Sequence, residues 1–124
     1  MNGDSAARAF VVLGGLLGAS GVALSAAAAH RGGPNAVIAA QFLLFHAPAL
    51  LAIACALRVG LLRPSLGLAS GVLITVGVVA FSGALAISEF LGLWRATMLA
   101  PTGGTTAILG WLLLIVAAFA ARRA

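Results

Sequence analysis

Four long apolar runs, Ala9–Ala29, Ala36–Leu57, Ser65–Ser88 and Ala100–Ala121, make up most of the chain, and every arginine falls between or beyond them. Inside the runs the only titratable side chains are His46 and Cys55. A helix of about 20 apolar residues, rising ~1.5 Å per residue, crosses the ~30 Å hydrocarbon core of a bilayer, so each run predicts one membrane span. The expected helices cover residues 9–29, 36–57, 65–88 and 102–121 of a single transmembrane domain. Because every connection is short, consecutive helices become antiparallel neighbours. The fold class that follows is all-α, an integral membrane up-down four-helix bundle.

The polar breaks bound the helices. Gly32-Gly33-Pro34 ends the first, and Asn35 is suited to cap the second. Pro48 lies inside the second run, where the missing N–H and the ring predict a kink or a loosened ladder. Pro64-Ser65 opens the third helix with proline in its first turn. The fourth follows Pro101-Thr102-Gly103-Gly104, with Thr102 as its cap.

Composition strengthens this reading. Hydrophobic residues are 63% of 124 and charged residues 7%, a balance no soluble fold could keep in solution. The 16 glycines matter because helices already in lipid gain nothing from apolar burial and associate instead through close packing of small residues. Gly14 and Gly18 in helix 1, Gly67 and Gly71 in helix 3, and Gly103 and Gly104 in helix 4 are the expected packing positions.

Seven arginines against Asp4 and Glu89 give a net charge of +5. They are scattered over different loops, so they read as topology anchors and not as a nucleic-acid surface. In a four-pass arrangement Arg8, Arg58, Arg63, Arg122 and Arg123 share one side, with Arg31 and Arg95 on the other, which predicts that both termini are cytoplasmic. Arg8, the run Phe10–Leu24 and the small residues Ser25–Ala29 also have the shape of a secretory leader. Gly14, Gly15, Gly18 and Gly21 at three- and four-residue spacing suit a packed helix face better, and retention of the segment is the expectation.

Several short stretches resemble a known family. Ala28-Ala29-His30, Phe45-His46-Ala47-x-Ala49-Leu50-Leu51, Phe81-Ser82-Gly83-x-Leu85, Pro101-Thr102-Gly103-Gly104 and Gly110-Trp111-Leu112-Leu113 are similar, in this order, to the YgdD-like family. That family comprises small four-pass membrane proteins classed as a domain of unknown function (number 423). The resemblance implies an integral protein of the bacterial inner membrane, or of another cellular membrane in eukaryotic relatives, and brings no activity with it. The chain departs from the pattern at Phe45, where a tyrosine is expected before the histidine, and at Pro48, where a small or apolar residue is usual. Any hydrogen bond from that tyrosine is lost here.

His46 is the candidate for chemistry. It lies eleven residues beyond Asn35, about 16 Å along its helix and near the middle of the bilayer. Ser20, Ser82 and Trp111 reach a similar depth on the other helices, while Ser25, Gln41 and Thr106 form a layer nearer the far side. A polar group facing lipid costs about 2–7 kcal/mol, so His46 is expected to point inward. Its expected partners are Ser20, Ser82 or a backbone carbonyl freed by Pro48. Packing glue is the plainer role; a proton or solute path is the sharper one.

The remaining polar residues have simple readings. Glu89, at the outer end of helix 3, is expected to pair with Arg95 or Arg31 at the headgroups, and helix 1 lacks the deep carboxylate of small multidrug-resistance transporters. His30 and His46 have no further donors at matching depth for a metal, and their vertical separation argues against haem, so no metal or cofactor is expected. Cys55 reads as a small packing residue, Trp94 as an interfacial anchor and Arg122-Arg123 as a cytoplasmic stop. No catalytic constellation is present, and the chain is not expected to be an enzyme. Two functional classes follow. One is a non-catalytic structural or accessory subunit, packed in the lipid bilayer within a larger membrane complex or homo-oligomer. The other is a small transporter or channel with a path at the His46 level.

Overall fold

The computed structural model describes residues 3–121, which form four long α-helices and one short 3-10 helix. They are α1 (Gly3–Arg31), α2 (Pro34–Arg58), α3 (Pro64–Leu91) and α4 (Ala100–Phe119), with the 3-10 helix Trp94–Leu99 leading into α4. The expected cytoplasmic stop, Arg122-Arg123, lies outside the described residues. All four helices are long and apolar enough to cross a membrane. Even the shortest, with 20 residues, is about 30 Å long.

Local sequence explains the boundaries, with two corrections. The cap of α2 is Gly33 and not Asn35, because Pro34 already supplies the first helical φ and has no N–H to satisfy. α4 needs no Thr102 cap, because the chain enters it from the 3-10 turn with Leu99 already helical. Thr102 therefore sits within the first turn, where its carbonyl accepts the Thr106 hydroxyl at 2.8 Å. α3 ends at Gly92, whose φ of +65° is the left-handed conformation that a glycine adopts without a Cβ penalty. Helix α2 runs on through Pro48, whose ring is exposed.

Packing follows chain order. α1 lies along α2, α2 along α3, and α3 along α4, while α1 meets α3 more briefly. Among the described residues the backbones of α1 and α4 do not approach each other. The bundle is therefore an open array with α2 and α3 inside: 44% of the apolar window of each inner helix is buried, against 22% for α1 and α4. One end of the α1–α3 contact is built by Phe10, 1% exposed, whose ring lies so close to Gly71 that a Cβ there would collide with it.

The closest approach is the α3–α4 seam. An ideal Cβ on Gly103 would lie 2.5 Å from the Phe81 nitrogen and 2.8 Å from the Gly77 carbonyl, and one on Gly110 would lie 2.8 Å from the Ile74 nitrogen. Backbone meets backbone here, which only glycine permits. Of the other expected packing positions, a Cβ on Gly14 would lie 3.0 Å from the Ala47 carbonyl oxygen, and one on Gly67 would press on the Leu57 and Leu62 side chains. A Cβ on Gly18 or Gly104 would make only ordinary contact, at 3.6 Å from Ala47 and Phe81 respectively. Gly21, one of the glycines whose spacing suited a packed face of α1, is tight as well, since a Cβ there would strike Leu44 at 2.8 Å, while Gly77 and Gly110 belong to the tight set although their spacing did not mark them.

Candidate functional site

His46 lies on the inner face of α2 and is 8% exposed. A helical side chain leans back toward the preceding turn, which brings Nδ1 within 2.7 Å of the Phe42 carbonyl one turn earlier. On the other side of the ring, Trp111 Nε1 of α4 donates to His46 Nε2 at 3.3 Å. An indole N–H can only donate, so Nε2 must be the unprotonated acceptor. The ring is then the neutral tautomer with its proton on Nδ1, donated to Phe42. Both nitrogens are engaged.

Rings extend this contact across three helices. The centroids of His46 and Trp111 are 5.9 Å apart, those of Phe42 and His46 4.5 Å, and those of Phe42 and Phe81 4.2 Å. The tilted stack ties α4 to α2 and α2 to α3.

The expected partners of His46 are redistributed. Trp111, placed at its depth by simple helix rise, does bind it, whereas Ser82 does not. Ser82 Oγ donates to the Ala39 carbonyl of α2 at 3.0 Å, and the buried Ser70 Oγ donates to the Gly110 carbonyl of α4 at 2.8 Å. The carbonyl that Pro48 frees is that of Leu44, four residues back, and His46 uses Phe42 instead. Ser20 is exposed and lines a cleft of about 570 Å³ between α1 and α3 that also borders Leu43, Phe90 and Arg31. Gln41 and Ser25 are exposed, and Thr106 is bonded within its own helix, so the expected second polar layer does not assemble. Trp111 is the member of the expected set that bonds to His46.

Glu89 has a different role from the one its position suggested. Its Oε1 accepts the Gly33 N–H at 2.7 Å, so the carboxylate of α3 caps the start of α2. A carboxylate there satisfies an orphan donor and faces the positive end of the helix dipole. The expected pairing with Arg95 or Arg31 is replaced by this cap; the Arg95 guanidinium instead lies 5.5 Å from the Trp94 ring centre. Cys55, expected as a packing residue, is exposed. It borders a groove between α1 and α2, while its neighbours Ile53 and Ala54 are buried.

Every buried polar side chain among the described residues, His46, Ser70 and Ser82, is hydrogen-bonded, and each of the three contacts joins two different helices. Such bonds fix which face of one helix meets another, because an unpaired polar group in hydrocarbon is costly.

Four membrane-length helices packed in chain order, with glycine seams and satisfied interhelical bonds, define a small multi-pass membrane protein whose surroundings are the lipid bilayer. The chain belongs to the family described as protein of unknown function DUF423, whose sequence profile matches residues 17–104. That stretch holds His46, Ser82, Glu89 and the α3–α4 glycines as far as Gly104, and stops short of Trp111. No curated protein and no solved structure matches the chain.

Proposed function

We propose that this chain is a non-catalytic structural or accessory subunit of a membrane assembly, in the bacterial inner (plasma) membrane with both termini cytoplasmic. The observation that carries this reading is the state of His46: its acceptor nitrogen holds Trp111 and its donor nitrogen holds Phe42, so the midplane histidine serves helix register. The outer helices support it as well. Along the outward face of α1, Gly15, Ala19, Ala23 and Ala26 are exposed, and small residues at such spacing let a further helix come close. The orientation rests on the arginine bias, and Arg58 and Asp4, 2.6 Å apart, join the two cytoplasmic helix ends.

The rival is transport at the His46 level, favoured by the cleft between α1 and α3, one lobe of which reaches from Ser20 to Ser82. Solubilisation in mild detergent separates the two. The expected result is co-purification of a foreign membrane protein, or of further copies of this chain, in fixed stoichiometry. A monodisperse monomer that carries protons or solute in liposomes, and loses this in His46→Ala, would overturn the subunit reading. Orientation is tested separately with reporters active on only one side of the membrane. Both terminal fusions should report the cytoplasm; opposite locations for the two ends would refute the even-pass arrangement.

A further inference from the structure

A groove of about 580 Å³ runs between α1 and α2 at the end where α1 begins and α2 finishes. Its floor is apolar, formed by Val11 and Val12 of α1 with Ala54 and Cys55 of α2. Its rim is charged. Asp4 and Arg8 are one helical turn apart on α1, and Arg58 comes from the last turn of α2. Arg58 Nη1 meets Asp4 Oδ1 at 2.6 Å, while Arg8 makes no ion pair among the described residues.

This distribution has a chemical signature. Two guanidinium groups against one carboxylate leave the rim with one positive charge in excess, the complement of a single phosphodiester. Guanidinium is planar and matches phosphate oxygens in a bidentate fork. Below the rim nothing polar is offered, and the groove opens toward the hydrocarbon. A ligand that fits must carry its negative charge at headgroup level and a hydrocarbon tail directly beneath. From Asp4 to Val12 the groove follows α1 for about 12 Å, enough for the upper half of an acyl chain.

We propose that the groove is a binding site for an anionic phospholipid, with the phosphate on Arg8 and Arg58 and one acyl chain along Val11, Val12 and Cys55. Basic pockets between membrane helices at the cytoplasmic face hold anionic headgroups in this way. Zwitterionic lipids are disfavoured because their ammonium group would sit beside a rim already in positive excess. Asp4 keeps Arg58 folded over the groove and limits the excess to one charge, which sets the preference for a phosphodiester over more highly charged headgroups. The site shares no residue with the His46–Trp111 contact, so it stands or falls independently of the subunit reading.

Cys55 is the only cysteine of the chain and is exposed in this groove, so it reports occupancy without any engineered label. The full chain is reconstituted in nanodiscs of phosphatidylcholine, with or without phosphatidylglycerol, and its alkylation by a small permeant maleimide is timed. Phosphatidylglycerol should slow alkylation about fivefold, as expected of one arginine engaged at an anionic surface. Arg8→Gln should restore the faster rate, and Arg95→Gln, at the opposite membrane face, should leave the slowing intact. Because Arg8 is exposed, its substitution leaves the packed core untouched. Native mass spectrometry should show one phosphatidylglycerol retained by the parent and lost from Arg8→Gln. Equal alkylation in the two kinds of disc, or slowing that survives Arg8→Gln, overturns the site. Equal slowing by glycerol phosphate in the aqueous phase would overturn the lipid assignment, because it would require no acyl chain.

Discussion

Gly77→Ala lowers the stability of the bundle by about 1–3 kcal/mol, the cost of overpacking a close-fitted interior. The added methyl would stand 2.6 Å from the Gly103 carbonyl oxygen and closer still to the Ala107 nitrogen. Neither neighbour is a flexible side-chain end, so α3 and α4 must separate along the seam. Separation also strains the Ser70–Gly110 hydrogen bond, which spans the same interface at 2.8 Å. Gly83→Ala is the matched comparison: it lies on the same helix, and an added Cβ there meets nothing within 4 Å. It should equal the parent or exceed it by up to about 1 kcal/mol, because alanine lowers the entropy cost of a helical glycine and here meets no neighbour. Thermal unfolding in one detergent measures both. Equal midpoints for the two variants would show that the seam is not held by backbone contact.

His46→Ala comes next in expected effect, with a loss of about 0.6–2 kcal/mol, the range for interhelical hydrogen bonds within membranes. The substitution removes the Nδ1 bond to Phe42 and leaves the Trp111 N–H without its acceptor. It also takes the middle member out of the ring stack that joins Trp111 to Phe42. Stability alone would not distinguish this from any other cavity. Trp111 emission does, since the indole loses a specific partner; it is read in a Trp94→Phe background, leaving Trp111 as the only tryptophan. An unfolding curve and a Trp111 spectrum both identical to those of the parent would mean that the imidazole–indole contact contributes nothing.

Glu89 shows where sequence reading reached its limit. Its depth, at the outer end of α3, followed from counting residues, and pairing with a nearby arginine was the natural expectation. The actual partner is the N–H of Gly33, 56 positions away. That donor becomes available because Pro34 starts α2 and Gly33 has no capping side chain. The local signal of an uncapped helix start was present in Gly33-Pro34, but nothing in it named the residue that would arrive from another helix.

The same holds for the polar residues expected at the level of His46. Their common level follows from the rise per residue, which the chain cannot escape once each run is helical. Which of them touch depends on the rotation of each helix about its axis, and that is decided by close packing. Gly77, Gly103 and Gly110 draw α4 onto α3 and turn Trp111 toward His46, while Ser20, on an outer helix that meets α3 only briefly, is left at the edge of a cleft.

The apolar runs and their arginine punctuation were thus sufficient, by themselves, for four membrane spans, their order and their approximate ends, because lipid requires every backbone polar group to be satisfied within a helix. Tertiary structure alone decided the open array, the Glu89 cap, the pairing of His46 with Trp111 and the glycines that truly meet backbone. These depend on helix azimuth and tilt, which apolar residues facing lipid on nearly every side do not encode, and which emerge only when small residues and interhelical hydrogen bonds select one packing among many of similar hydrophobicity.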